Sequence, residues 1–338
     1  MNRFEYLLPE SFEAAVTLLA QARPQAAPLV KAGGIDVLDR LKEGLEAPRR
    51  VLNLLALRNG AAPVRRASAE TIEIDALATL AEVAGHELIR KLFPALAQAA
   101  GHTATPQIRN VATVAGNLCQ KPRCWYFRSQ DYTCLKKGGS TCYAVEGDNR
   151  YHAVVGAGAC HIVHPSNLAP VLLTAGARIG TIAAGPTGPT QRTIAIDEFF
   201  RVPADPRDDE HTLRPGELIQ TIELPTSAGG PRAAYVELRE KQSFDWPLVS
   251  CAANLNDPAN PRVVLGAVAP IPWRVKVAER VLAGSPLDDR TIDRAARLAA
   301  EGCEPMSRNA YKVELVAPAV ADALRQARDR GKEESGNG

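Results

Sequence analysis

Five of the seven cysteines in this 338-residue chain lie between Cys119 and Cys160. A hydrophobic core has no need of such crowding, and cytosolic proteins seldom use clustered thiols as disulfides. Thiols this dense point instead to a metal centre. The spacing Cys119-x4-Cys124-x9-Cys134-x7-Cys142-x17-Cys160 contains no CxxC pair, so zinc-ribbon and thioredoxin motifs do not fit. Four thiolates from a long loop can hold a [4Fe–4S] cluster, whose ligand spacing varies. Lys121, Arg123, Arg128, Lys136 and Lys137 stand among the thiols. Their charge is expected to favour thiolates and to offset a negative cluster. Cys251 and Cys303 sit in apolar contexts and read as core filling.

The cysteine segment is flanked by TPQIRNVATVAGN (Thr105 to Asn117) and HPSNLAP (His164 to Pro170). In the first, small residues alternate with hydrogen-bonding ones through Ala112, Thr113, Ala115, Gly116 and Asn117. Amides and hydroxyls beside glycine suit ribityl and phosphate oxygens. Earlier, LVKAGGIDVL sets Gly33 and Gly34 between an expected strand and an expected helix. Glycine there permits a tight turn and close approach of amides to a pyrophosphate, although the stretch is not GxGxxG. His152, His161 and His164 lie near the thiols and read as polar pocket wall.

The bulk properties exclude several classes. A net charge of +2 gives no reason to expect nucleic acid or an anionic membrane. No apolar run reaches the roughly 18 residues of a span, and the N-terminus does not read as a signal peptide. The expected compartment is the cytoplasm, with the periplasm reached only by export with a partner. There is no GxSxG, no HExxH and no paired-carboxylate motif, so no catalytic residue is assigned.

Pattern predicts an α+β protein. Ser11 caps a helix bearing Phe12, Ala15, Val16 and Leu19. Strands are expected at Leu29-Val30, Val51 to Leu57 and Thr71 to Asp75, and a long helix from Leu77 to Ala99 breaks or bends at Pro94. A linker at residues 225 to 232 separates a domain of residues 1–225 from one of 226–330. The first divides near residue 57 and carries the loop at 118–160. The second combines a three-stranded antiparallel sheet (Ala233 to Leu238, Leu248 to Leu255, Val263 to Val268) with three helices. Residues 331–338, GKEESGNG, read as a disordered tail.

Together the stretches AGGIDVL, PQIRNVATVAGN, HPSNLAP, GELIQTIELP and SFDWPLVS resemble the FAD-binding, or medium, subunit of the xanthine oxidase family of molybdenum hydroxylases. RCWYFR, CLKKGGSTC and NRYHAVVG resemble the subgroup whose flavin subunit carries an extra [4Fe–4S] cluster. Bacterial aldehyde oxidoreductases belong to it, and 4-hydroxybenzoyl-CoA reductase has a related insertion. The resemblance implies a two-part FAD-binding domain of the PCMH type, then a domain of the CO dehydrogenase flavoprotein type. It implies a large molybdenum-cofactor subunit that oxidises substrate, a small subunit with [2Fe–2S] clusters, and an external electron acceptor. This chain would take electrons onto FAD and pass them on. The same scaffold could serve an N-heterocycle or an acyl-CoA. In another class, it could be an iron–sulfur scaffold that has lost its flavin.

Carried over by residue, the resemblance sets the FAD pyrophosphate against Ala32, Gly33, Gly34, Ile35, Asp36 and Val37. Ala112, Thr113, Gly116 and Asn117 form the second wall, and Ile219 packs near the ring. Asn167 belongs to the same set, though many relatives have Asp there; many also have Lys where this chain has Glu237. Both replacements would alter the flavin's electronics if they sat beside it. The expected cluster ligands are Cys124, Cys134, Cys142 and Cys160. Cys119 follows the Gly116-Asn117 turn and is expected to pack beneath the flavin.

Overall fold

The computed structural model describes residues 2–23, 26–58, 60–242 and 244–336. Ser243 of the SFDWP stretch and the last two tail residues lie outside them.

Ser11 Oγ accepts the amide of Ala14 at 3.1 Å and starts the helix Phe12–Ala20, which buries Ala15, Val16 and Leu19. Around it, β1 (Glu5–Leu7), β2 (Leu29–Lys31) and β3 (Arg50–Asn53) form a parallel sheet in the order β1-β3-β2. The strand expected to Leu57 stops at Asn53. Asn53 Oδ1 takes the amide of Leu55 at 3.3 Å, and the chain turns into a 3-10 helix, Leu54–Leu57.

A second sheet holds β4 (Val64–Arg66), β5 (Thr71–Asp75), β6 (Arg178–Gly185), β7 (Gly188–Ala195) and β8 (Leu218–Pro225). Its order is β4-β5-β8-β6-β7, all antiparallel. The alternation read in Thr71–Asp75 buries Ile72 and Ile74 and turns their neighbours outward. The single long helix expected after it is three short ones, Leu80–Gly85, Glu87–Leu92 and Pro94–His102. Thr79 and Glu82 form a capping box that opens the first, His86 turns to extended backbone and ends it, and Pro94 takes the first helical turn of the third.

The C-terminal sheet has four strands where the sequence suggested three. β9 (Ala233–Leu238), β10 (Val249–Asn254) and β11 (Arg262–Gly266) are joined by β12 (Trp273–Arg274), in the order β12-β11-β10-β9. Two residues are too few to show a period. Alternate residues divide this sheet between two cores. Tyr235, Ala252 and Val264 face the first domain, whereas Val236, Cys251, Val263 and Leu265 face the C-terminal helices. The last helix, Ala310–Gly336, runs past Gly331, where the sequence suggested disorder. Arg330 at the start of that segment donates to Ala233 O and Gln98 Oε1, both at 2.9 Å, and so anchors the final turns. Among the described residues no helix is long and apolar enough to cross a membrane.

Candidate cofactor cleft and cysteine loop

Gly34, at φ +89°, stands at the N-cap of the helix Ile35–Lys42 directly after β2. Gly33 lies against the other wall: a Cβ there would come within 2.0 Å of Val111 O and 3.2 Å of Ala112 Cα. The two glycine turns therefore meet backbone to backbone, which only glycine allows. Thr113 Oγ1 accepts the amide of Gly116 at 3.2 Å and caps the short helix Val114–Leu118.

Between these walls runs a cleft of about 1160 Å³, larger than the ~300–1,000 Å³ of ordinary small-ligand pockets. Ala32 through Val37, Ala112, Thr113, Gly116, Asn117 and Ile219 all line it. Cys119 lines it as well, and its neighbours there are core residues. Burial pushes the Cys119 thiol up to about 12, so it behaves as a small hydrophobe. Six cations (Arg40, Lys121, Arg123, Arg201, Arg207 and Arg214) and six carboxylates (Asp36, Asp39, Glu46, Asp208, Asp209 and Glu217) line the cleft. Arg123 Nε and His211 Nδ1 are buried there without a hydrogen-bond partner. Such a cleft suits a long, polar-edged cofactor.

Asp36 would repel a phosphate were it free. Burial pushes its carboxyl up, but Arg123, Arg128 and Arg40 outweigh that and hold it below the usual carboxylate range. Its oxygens accept from Arg128 Nη2 at 2.6 Å and Arg40 Nε at 3.1 Å. Asp36 therefore offers the cleft its backbone, while its side chain grips the cysteine loop.

Asn167 departs from the expected set. It lines a separate cavity of about 170 Å³, together with Cys124, Trp125, His152 and His164. The cavity and the cleft share Arg123 and Trp246, with the guanidinium 5.2 Å from the centre of the indole. Asn167 Nδ2 donates to Glu237 Oε1 at 2.5 Å, Tyr235 OH donates to the same oxygen at 2.8 Å, and Arg239 pairs with the carboxylate. The two unusual residues thus face each other. Neither sequence separation nor residue type signals that pairing.

In the cysteine loop, Cys134 and Cys142 lie near enough to influence Cys124, and Cys142 and Cys124 to influence Cys160. Burial pushes Cys124 up to about 11, with Phe127 and Tyr126 amides opposing and Cys134 and Cys142 adding to the rise. Burial pushes Cys160 up to about 12, and Cys142 and Cys124 again add to it. Cys119 is influenced by Asp209 and Lys121 instead. Among the described residues no three such side chains close on the point a single metal ion would occupy.

The loop's cations were expected around the sulfurs, but most are engaged elsewhere. Lys121 pairs with Asp209, Arg123 with Asp36, Arg128 with Asp36 and Asp39, and Lys136 with Glu210. Of these, Lys136 also lowers the Cys160 thiol. The reason is partner strength: a carboxylate outcompetes a neutral thiol. The sequence reading also missed the loop's own core. Trp125, Tyr126, Tyr132, Tyr143, Tyr151 and His152 pack edge to face or stacked, with centroids 5.0–6.2 Å apart. Their enrichment in one polar segment was the available signal. His152, read as pocket wall, also touches Cys124 Sγ at 3.2 Å.

Residues 2–227 match the family described as FAD binding domain in molybdopterin dehydrogenase, and residues 233–327 match the CO dehydrogenase flavoprotein C-terminal domain. The chain belongs to the FAD-binding subunits of the molybdenum hydroxylases. This flavoprotein subunit is 35% identical over 300 residues to the aldehyde oxidoreductase FAD-binding subunit PaoB of Escherichia coli, covering 88% of this chain and 90% of that one. It is 26% identical to the carbon monoxide dehydrogenase medium chain of Hydrogenophaga pseudoflava, covering 90% and 88%. A solved structure of carbon monoxide dehydrogenase from that organism superposes with a TM-score of 0.72 at 24% identity, over 97% of this chain and 98% of that chain. That last likeness establishes the fold.

Proposed function

We propose that this chain is the electron-transferring flavoprotein subunit of a molybdenum-dependent aldehyde oxidoreductase. Its FAD would lie in the cleft between Gly33 and Gly116, and a [4Fe–4S] cluster would be held by Cys124, Cys134, Cys142 and Cys160. The observation that carries the reading is the cleft walled by the turns at Gly33 and Gly116, with the cysteine loop tied to one wall through Arg128 and Asp36.

Bound there, FAD and the cluster supply the electron carriage. The chain's own residues bind and shield. The amides at the start of the helix Ile35–Lys42 face the pyrophosphate. Ile219, 5% exposed, presents an apolar surface to the ring. Arg123 spans the cleft and the cavity beside Cys124. Electrons would enter from a small [2Fe–2S] subunit, after substrate oxidation on a large molybdenum subunit, and leave to an external acceptor. A flavin-free scaffold is disfavoured, because Asn167 and Glu237 bond to each other and neither lines the cleft.

The test is cofactor analysis of the complex. One FAD per chain should be released by acid: no His or Cys lies in residues 32–37 or 112–117, and the buried Cys119 thiol is held far from its reactive thiolate form. Cys124→Ser, Cys134→Ser, Cys142→Ser and Cys160→Ser should each lose iron, whereas Cys119→Ser keeps it. Loss of iron from Cys119→Ser with retention in Cys160→Ser would reverse the ligand assignment. Expressed alone, the chain should not oxidise aldehydes.

A further inference from the structure

Cys124 has a side-chain partner that metal ligation alone would not require: His152 Nε2 lies 3.2 Å from its sulfur. The His152 ring is 4% exposed, and its Nδ1 has no hydrogen-bond partner. A proton on Nδ1 alone would bury a donor without an acceptor and set the Nε2 lone pair against the sulfur. A proton on Nε2 makes an N–H···S bond and leaves only a lone pair unmatched, which costs less. The doubly protonated ring also carries Nε2–H, so the bond does not depend on charge state.

The ring is fixed from outside the loop. The His152 carbonyl accepts from Lys312 Nζ at 3.0 Å and from Asn309 Nδ2 at 3.2 Å. Lys312 is 1% exposed and also donates to Ala267 O at 2.6 Å. Trp125 stands edge-on to the ring at 5.9 Å. The backbone behind His152 is thereby pinned by the C-terminal domain.

We propose that His152 is a positioning residue whose Nε2–H donates to Cys124 Sγ and raises the reduction potential of the iron–sulfur site. The inference rests on the ligand assignment made above. A donor aimed at a ligand sulfur stabilises the state with one more electron, and hydrogen bonds to cluster sulfurs are an established determinant of potential. The equilibrium concerned is one electron on or off, delivered in the test by dithionite. No bond forms or breaks, and the proton stays on Nε2.

The experiment is an EPR-monitored redox titration of the assembled complex, with iron content measured alongside. His152→Phe should keep its iron while its ratio of reduced to oxidised site at the wild-type midpoint falls about tenfold, equivalent to about 59 mV for one electron. His152→Gln, whose amide can donate to the same sulfur, should stay within about twofold of wild type on that one-electron scale. Full iron with a wild-type midpoint in His152→Phe would overturn the proposal, because a merely structural role leaves the potential unmoved. Should that variant come out without iron, wild type grown with 15N-histidine decides: the reduced signal should show a 15N coupling, and its absence overturns the inference. A wild-type complex without iron would instead overturn the ligand assignment, and this inference with it.

Discussion

Arg128 donates from Nη2 to Asp36 Oδ1 at 2.6 Å, which ties the cysteine loop to the helix that forms one wall of the cleft. Both side chains are largely buried, at 10% and 13% exposure. Nη1 reaches Asp39 on the same helix at 3.0 Å. Removing one member of a buried pair leaves an uncompensated charge and costs about 3–5 kcal/mol. Arg128→Met should therefore lower the unfolding temperature and reduce the flavin retained through gel filtration. Full flavin content at wild-type stability would show that the tie has no energetic role.

The contact of Gly33 with Val111 O makes the cleft intolerant of a methyl group. Gly33→Ala should force the two walls apart, at a cost of roughly 1–3 kcal/mol by overpacking, and release the flavin. At Gly116 a Cβ meets only Thr113 Oγ1, at 2.9 Å. Gly116→Ala should then be mild, and Gly116→Arg should empty the cleft by filling it while iron remains. Absorbance at the flavin bands and iron per chain check all three.

The Asn167–Glu237 bond predicts a charge-sensitive pair. Asn167→Asp would set two carboxylates at the 2.5 Å separation now bridged by an amide proton. An unmatched buried acceptor costs about 1–3 kcal/mol, and more when it is charged. Adding Glu237→Gln returns an amide donor to the pair, so the double variant should recover most of the loss. A double-mutant cycle by urea unfolding should give a coupling of at least about 1 kcal/mol; simple additivity would refute the pairing.

His164 gives the chain an acid limit. Burial pushes its imidazole from 6.5 down to about 3, with His211 nearby adding to the fall. Below pH 6.5 the unfolded chain binds a proton that the folded chain refuses until about pH 3. Stability from this group is complete above pH 6.5 and is lost progressively between those limits. At pH 4.5 the loss is roughly 2–3 kcal/mol. His164→Gln should flatten the dependence between pH 7 and pH 4.5 in chemical unfolding. An equally steep profile in that variant would assign the acid sensitivity to other groups.

Local features were legible in the sequence because short-range chemistry decides them. Ser11 caps its helix through its own hydroxyl, Thr71–Asp75 alternates, and Gly33-Gly34 marks a turn. The crowding of five cysteines singled out the loop. The helix break at Pro94 was legible too; the break at His86, the two-residue strand β12 and the helical tail were not, since packing or a single cap sets each of them. What only the tertiary structure decided is which distant groups meet. Arg128 finds Asp36 across 92 positions, Asn167 finds Glu237 across 70, and Lys312 finds the His152 carbonyl across 160. Residue type fixes what a side chain can bond to, but a buried cation or amide takes whichever partner the folded backbone brings within reach. Here that choice directed Arg123 and Arg128 to Asp36 and Asp39 on the cleft wall and set His152 beside the Cys124 sulfur.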